Sequence, residues 1–180
     1  MILYDTKYLQ LKSTKTKHGQ DWVYAHRPNV DGVVVILPII EDKKFLFLIE
    51  ERPPLIAENI TQRSIGLPAG LVGDERRNES IQDAVKAELL EEAGLIADRI
   101  EIKSNKVASS PGCVTEVITI AFAYINKYKI VSTPIDDGGV IIERILVDID
   151  NIHDWLKEQE GRGATITAST LAALFYYMKG

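Results

Sequence analysis

Two near-continuous apolar runs, 33–40 (Val-Val-Val-Ile-Leu-Pro-Ile-Ile) and 45–50 (Phe-Leu-Phe-Leu-Ile-Glu), stand four residues apart in this chain. A strand with one face in water alternates apolar and polar residues, so runs of this kind belong to strands covered on both faces. The intervening Glu41-Asp42-Lys43-Lys44 predicts that the two strands are hairpin partners. Further strands are expected at 4–12, 22–26, 100–107, 117–124 and 140–148, with a Lys-rich turn around 15–19 joining the first two. Segment 55–66 reads as polar and irregular. Closing helices are expected at 152–159 and 168–178, the latter with Leu171, Leu174, Phe175 and Met178 at core spacing. Strands interleaved with a few helices predict an α/β (α+β) fold, a mixed sheet with helices on both faces.

At 180 residues and 46% hydrophobic content, the chain can bury one sizeable core. Residues 1–28 are too few to do so alone, so they read as a small N-terminal β subdomain on a main domain at 29–180. No apolar run reaches the roughly 18 residues of a membrane span, and the start lacks a signal peptide's charged-then-apolar layout. Neither a membrane nor a secretory route is expected. The lone Cys113 argues against a disulfide scaffold and fits a reducing cytoplasm. With 21 basic against 26 acidic residues, the net charge of −5 is wrong for sequence-independent nucleic-acid binding.

Function is concentrated between Gly73 and Leu95, which read G-x5-E-x7-A-E-L-L-E-E-A-G-L. Ser80 followed by Asp83 resembles a helix capping box, and Gly94 sits where a C-terminal cap belongs. Within that helix Ile81 and Val85 begin an apolar stripe, and its next members are Glu88 and Glu92. Glu91 lies three residues from Glu88, so all three carboxylates share one side. Charges on a core-facing stripe are rarely left unpaired, so a cation is expected among them. Oxygen ligands of this type suit Mg²⁺, with Mn²⁺ as the variant, rather than Zn²⁺. No His and Cys cluster competes, because His18, His26 and His153 are scattered.

The stretch resembles the Nudix box, G-x5-E-x7-R-E-U-x-E-E-x-G-U, where U is a bulky apolar residue. That resemblance implies a Nudix-type α/β/α sandwich and metal-dependent hydrolysis of a nucleoside diphosphate linked to another moiety. One position departs from it: Ala87 stands where the family has the Arg that pairs with the glutamates. Lys86 points about a quarter-turn away and is a poor substitute. Upstream, Leu67-Pro68-Ala69-Gly70 resembles the L-P-A-G run of the ADP-ribose pyrophosphatase branch. Gly70, rather than Gly73, is then the glycine that opens the box, before a loop three residues longer than usual. Ser110-Pro111-Gly112 and Glu50-Glu51-Arg52-Pro53-Pro54 resemble further segments of that branch. Gly66 stands where the branch usually has Glu.

Carried over by resemblance, the Ala69 carbonyl with Glu88, Glu91 and Glu92 would hold metal. Glu116 or Glu92 would be the general base, with Glu91 beside them in the catalytic set, while Glu79 steadies the helix start. Arg52 would meet the diphosphate and Gly112 would line the substrate. In the branch a small N-terminal sheet packs on a second subunit, which implies a homodimer and makes Trp22, Tyr24 and Arg27 candidates for an adenine pocket. ADP-ribose is the implied substrate, split to AMP and a sugar phosphate. A non-catalytic nucleotide-sugar-binding module, favoured by Ala87, and an enzyme for another nucleotide are the alternatives. Specificity is expected from loops 55–66 and 126–139.

Overall fold

The structure, a computed structural model, describes residues 1–73, 79–134 and 140–179. Part of the 126–139 loop expected to set specificity lies outside the described residues.

Strands β1 (Ile2–Asp5), β2 (Gln10–Lys15) and β3 (Asp21–His26) form a three-stranded antiparallel sheet. The single strand expected at 4–12 is two strands. Thr6 breaks it: its hydroxyl accepts the N–H groups of Tyr8 and Leu9 and donates to the Leu9 carbonyl, closing a local turn.

The second sheet is built on β4 (Gly32–Ile40) and β5 (Lys44–Glu50). These are hairpin neighbours, but they pair only at Ile39↔Phe45 and Ile40↔Lys44 before diverging. The fork between them is filled by two short strands. β6 (Ser64–Gly66) pairs with β5, and β7 (Ala69–Val72) pairs with β4. Segment 55–66 is therefore more regular than expected, since it also holds the end of the short helix α1 (Pro53–Ala57). Pro at the first helical positions starts that helix, where no N–H is needed. Leu67-Pro68 crosses the fork between β6 and β7, and the Pro68 carbonyl accepts Ile36 N–H at 2.8 Å. Outside the fork, β9 (Val117–Ile125) runs parallel to β4, β8 (Arg99–Ala108) is antiparallel to β9, and β10 (Ile141–Asp148) lines the far edge of β5. β11 (Thr165–Ile166) extends β6 in parallel.

Helix α2 (Ile81–Ala93) covers one face of this sheet, and α3 (Ile152–Gly161) and α4 (Ala168–Lys179) cover the other. Alternate residues of β4 and β5 feed the two cores. Val34, Ile36, Leu46 and Leu48 pack with Val85 and Leu89 of α2. Val35, Leu37, Phe45, Phe47 and Ile49 pack with Leu156, Ala173 and Leu174. Burial of both parities is why the runs at 33–40 and 45–50 are apolar at almost every position. The architecture is the mixed α+β, two-faced sheet expected.

The stripe expected on α4 is corrected. Leu174 is buried, but Leu171, Phe175 and Met178 are 50%, 55% and 68% exposed. Thr170 and Ala173 face the sheet instead, and Tyr177 sets its ring edge-on to Phe45 with centroids 4.8 Å apart. The helix is apolar almost all round, so its periodicity offered two faces and the short side chains won the close approach. Among the described residues, no helix is long and apolar enough to cross a membrane.

Candidate active site

Both ends of α2 are set by local chemistry. Ser80 Oγ accepts Asp83 N–H at 3.1 Å, the capping contact expected. Gly94, at φ +68°, closes the far end by donating to Leu90 O, while Leu95 donates to Leu89 O. Between the caps, Ala84, Val85, Leu89 and Ala93 are buried. Glu88 and Glu92 sit half-buried on the margin of that face, Glu91 is exposed, and Lys86 turns away to Asp83 at 3.3 Å.

The half-buried glutamates meet the fork in the sheet. Glu92 Oε2 accepts the Ala69 N–H at 2.8 Å. The Glu88 carboxylate lies on Gly70 so closely that a Cβ at that position would fall inside it. Gly70, not Gly73, is thus the glycine in contact with the helix glutamates. Gly73, just past the end of β7, has φ +84° and faces Asp31.

A further carboxylate joins from β5. Glu50 shares the parity of Leu46 and Leu48, so it projects toward α2, and it is 2% exposed. Its two oxygens take Arg52 Nε at 3.1 Å and Nη2 at 2.5 Å. The carboxylate lies over Gly66, where a Cβ would overlap it. A glycine before Leu67 therefore makes room for an acid supplied from the neighbouring strand. From β10, Arg144 pairs in register with Leu48 and so reaches the same face. Its Nε donates to the main-chain carbonyl of Glu92.

Electrostatics follow from this crowding. Burial, helped by the nearby Glu50 charge, pushes the Glu92 carboxyl up to about 7, against the opposing pull of the Ala69 N–H, Arg52 and Arg144. Burial also raises Glu50, with Arg52 working against it. Among the described residues, no three His, Cys, Asp or Glu side chains form a ready-made metal-ligand cluster. The donors at the fork are nonetheless hard oxygens whose burial disfavours their charge, which is the chemistry a divalent cation relieves.

Other candidate residues assemble where β3 meets loop 109–116. Ala25 N–H donates to Cys113 O at 2.7 Å, and Thr115 N–H returns to Ala25 O at 3.2 Å. Trp22 Nε1 donates to Gly112 O at 3.0 Å. His26 Nδ1 lies 2.9 Å from Thr115 Oγ1, and Arg27 Nη2 stands 3.7 Å from Glu116 Oε2. Arg27 and Glu116 border a cavity of about 390 Å³ with Leu9, His26, Asp31 and Val117. Trp22, Arg27, Gly112 and Glu116 are thus brought together within one chain. Glu116 immediately precedes β9, whose Ile120 stands opposite Val35, as Ala69 does on the other edge of β4. Four residues of strand separate the two levels, about 13 Å at a rise of about 3.3 Å per residue. The candidates form two groups, at the fork and at the small-sheet contact.

Two residues at the fork were not singled out from the sequence. Glu50 carried a signal, a charge closing an otherwise apolar strand. Arg144 carried only its parity in β10, which means nothing until the register with β5 is known.

Neither a protein-family model nor a curated protein sequence matches this chain. Among solved structures, a crystal structure of an "ADP compounds hydrolase" superposes with a TM-score of 0.71 at 18% sequence identity, covering 99% of this chain and 89% of that one. What the two share is the fold: the chain has the mixed α+β, Nudix-type arrangement of that hydrolase.

Proposed function

We propose that the chain hydrolyses the pyrophosphate bond of a nucleoside diphosphate derivative, with ADP-ribose the leading substrate and AMP plus a sugar phosphate the products. The observation that carries this is the approach of Glu88 to Gly70, of Glu92 to the Ala69 N–H and of Glu50 to Gly66 along one fork of the sheet, on a scaffold shared with an ADP compounds hydrolase. A catalytic purpose explains three carboxylates at the covered edge of a core better than stability does, because burying such charges is costly.

In the proposed reaction a water oxygen attacks one phosphorus, the bridging P–O bond breaks, and the second phosphate leaves with the bond pair. The water proton passes to a carboxylate, Glu92 or Glu116. Glu92 stands at the fork itself, where its carboxylate accepts the Ala69 N–H, and is placed with the groups that would take that proton. Glu116 reaches the same task only if substrate spans toward the small-sheet contact. Arg52 is partly exposed beside Glu50 and would donate to the diphosphate through the edge of its guanidinium that Glu50 leaves free. Glu88, Glu91, Glu92 and the Ala69 carbonyl would hold Mg²⁺ or Mn²⁺, which when bound neutralises phosphate charge and acidifies water. Trp22 and Arg27 would face the nucleoside side of the substrate, near Gly112.

A panel of ADP-ribose, nucleotide sugars, dinucleotides and nucleoside triphosphates, each with Mg²⁺ or Mn²⁺, tests this reading. Preferential AMP release from ADP-ribose is expected. Turnover of another panel member keeps the enzyme and discards the substrate. Binding without turnover favours the second reading, a nucleotide-sugar-binding module, for which Ala87 is the specific observation.

The homodimer is part of the proposal. The small sheet exposes Ile2, Leu3, Tyr4, Trp22 and Val23, and the turn between β1 and β2 exposes Tyr8, an apolar set that a second subunit would cover. Light scattering is expected to give twice the chain mass of 20.1 kDa. A mass of one chain would remove the partner from the substrate site.

A further inference from the structure

Given the hydrolase reading above, on which this rests, we propose that Arg144 is the positioning cation of the site, clamping the last turn of α2 from β10 in place of a basic residue on the helix itself. The last turn of α2 carries no basic residue, and position 87, one turn earlier, is alanine. The C-terminal carbonyls of a helix lack intrahelical donors and concentrate negative charge. Leu89 and Leu90 find donors in Leu95 and Gly94. The Glu92 carbonyl takes its donor from Arg144 Nε.

Glu92 is thereby gripped at both ends. Its carboxylate is fixed by the Ala69 N–H on β7, and its main chain by Arg144 on β10. The two strands lie on opposite sides of the fork, one on β4 and the other on β5. The direction in which Glu92 points is therefore set by the relative placement of both halves of the sheet. Arg144 keeps a second arm in reserve. Its Nη2 is buried and has no hydrogen-bond partner among the described residues, although the Arg144 charge acts on the Glu92 carboxylate. A guanidinium held only for packing has no reason to leave a buried donor unmet. Left beside Glu92, that arm is a donor available to a carboxylate of the site or to substrate phosphate.

Arg144→Met and Arg144→Lys test this, each also combined with Ala87→Arg. Three quantities are read: amide exchange across residues 89–95, Mn²⁺ affinity by calorimetry, and kcat and KM for the best panel substrate. Arg144→Met is expected to speed exchange in that segment while leaving the first two turns of α2 unchanged. Mn²⁺ affinity or kcat should fall roughly 10–100-fold, with KM changed little, as when a group supporting a ligand is lost. Arg144→Lys, which keeps the charge without the fork, should lie between. Arg at position 87 should recover part of the loss in the Met variant.

Unchanged exchange in both Arg144 variants overturns the proposal. So does faster exchange with Mn²⁺ affinity and kcat intact, because the clamp would then serve only the helix. Failure of the hydrolase reading shows separately, as wild-type protein that neither binds Mn²⁺ nor turns over any panel member.

Discussion

Glu92→Gln is expected to lower turnover about 10²–10⁴-fold while leaving the melting temperature of the metal-free protein unchanged or raised. The amide oxygen can still accept the Ala69 N–H, so the local geometry survives. What disappears is a charge that the folded state disfavours. The Glu92 carboxyl rises from 4.5 to about 7 on folding, because burial outweighs its favourable contacts. A folded pKa above the unfolded one means that the folded state holds the proton more tightly. Stability from this group is full below 4.5 and is lost as pH rises through about 7. The loss is on the order of 3 kcal/mol, at about 1.4 kcal/mol per pKa unit. Metal-free wild type should therefore melt lower at about pH 8 than at about pH 5 by more than the Gln variant does. Saturating Mn²⁺ should remove that difference in wild type alone, since a ligand that binds only the folded state stabilises it. Thermal unfolding in EDTA and in Mn²⁺ measures both effects. A Gln variant with the same pH slope as wild type would mean that Glu92 is not a buried charge.

Gly70→Ala should be nearly as damaging to activity, through geometry rather than charge. The new Cβ falls inside the Glu88 carboxylate. Neither backbone can retreat, because Gly70 is paired with Val34 on β4 and α2 is seated by Val85 and Leu89. Glu88 must swing away. A displacement of about 1 Å at a reacting centre costs roughly 10²-fold, and overpacking of this kind costs about 1–3 kcal/mol of stability. Gly161→Ala is the control, since nothing beyond its chain neighbours and its own helix backbone stands within 4 Å of its would-be Cβ. Kinetics and thermal melts of the pair decide the matter. A fully active Gly70→Ala protein would remove Glu88 from the site.

Legibility in the sequence followed the range of the forces involved. The caps of α2 could be read because Ser80, Asp83 and Gly94 act on backbone within a few residues. Helical period put Glu88 and Glu92 on the buried stripe itself, with Glu91 beside them. In the structure Leu89 and Ala93 continue that stripe, the two glutamates stand at its margin and Glu91 is exposed. The paired strands could be read because both faces of β4 and β5 are buried, which leaves no alternation to misjudge. The turn at Thr6 was missed because one hydroxyl ended the strand, at a residue type that itself favours β-structure. The face of α4 was missed because Leu171, Phe175 and Met178 are as apolar as the residues that are buried.

Period, burial preference and local hydrogen bonding were enough to define the covered sheet, the capped helix and the carboxylates carried on that helix. The surroundings of those carboxylates came from long-range pairing alone. Glu50 comes from the end of β5, Arg144 from β10, and the space for Glu50 and Glu88 from Gly66 and Gly70 on two different strands. These meet only because β4 and β5 part after two residue pairs and β6 and β7 fill the fork. The register that sets Arg144 opposite Leu48 joins strands far apart in the chain, and no local pattern of residues encodes it.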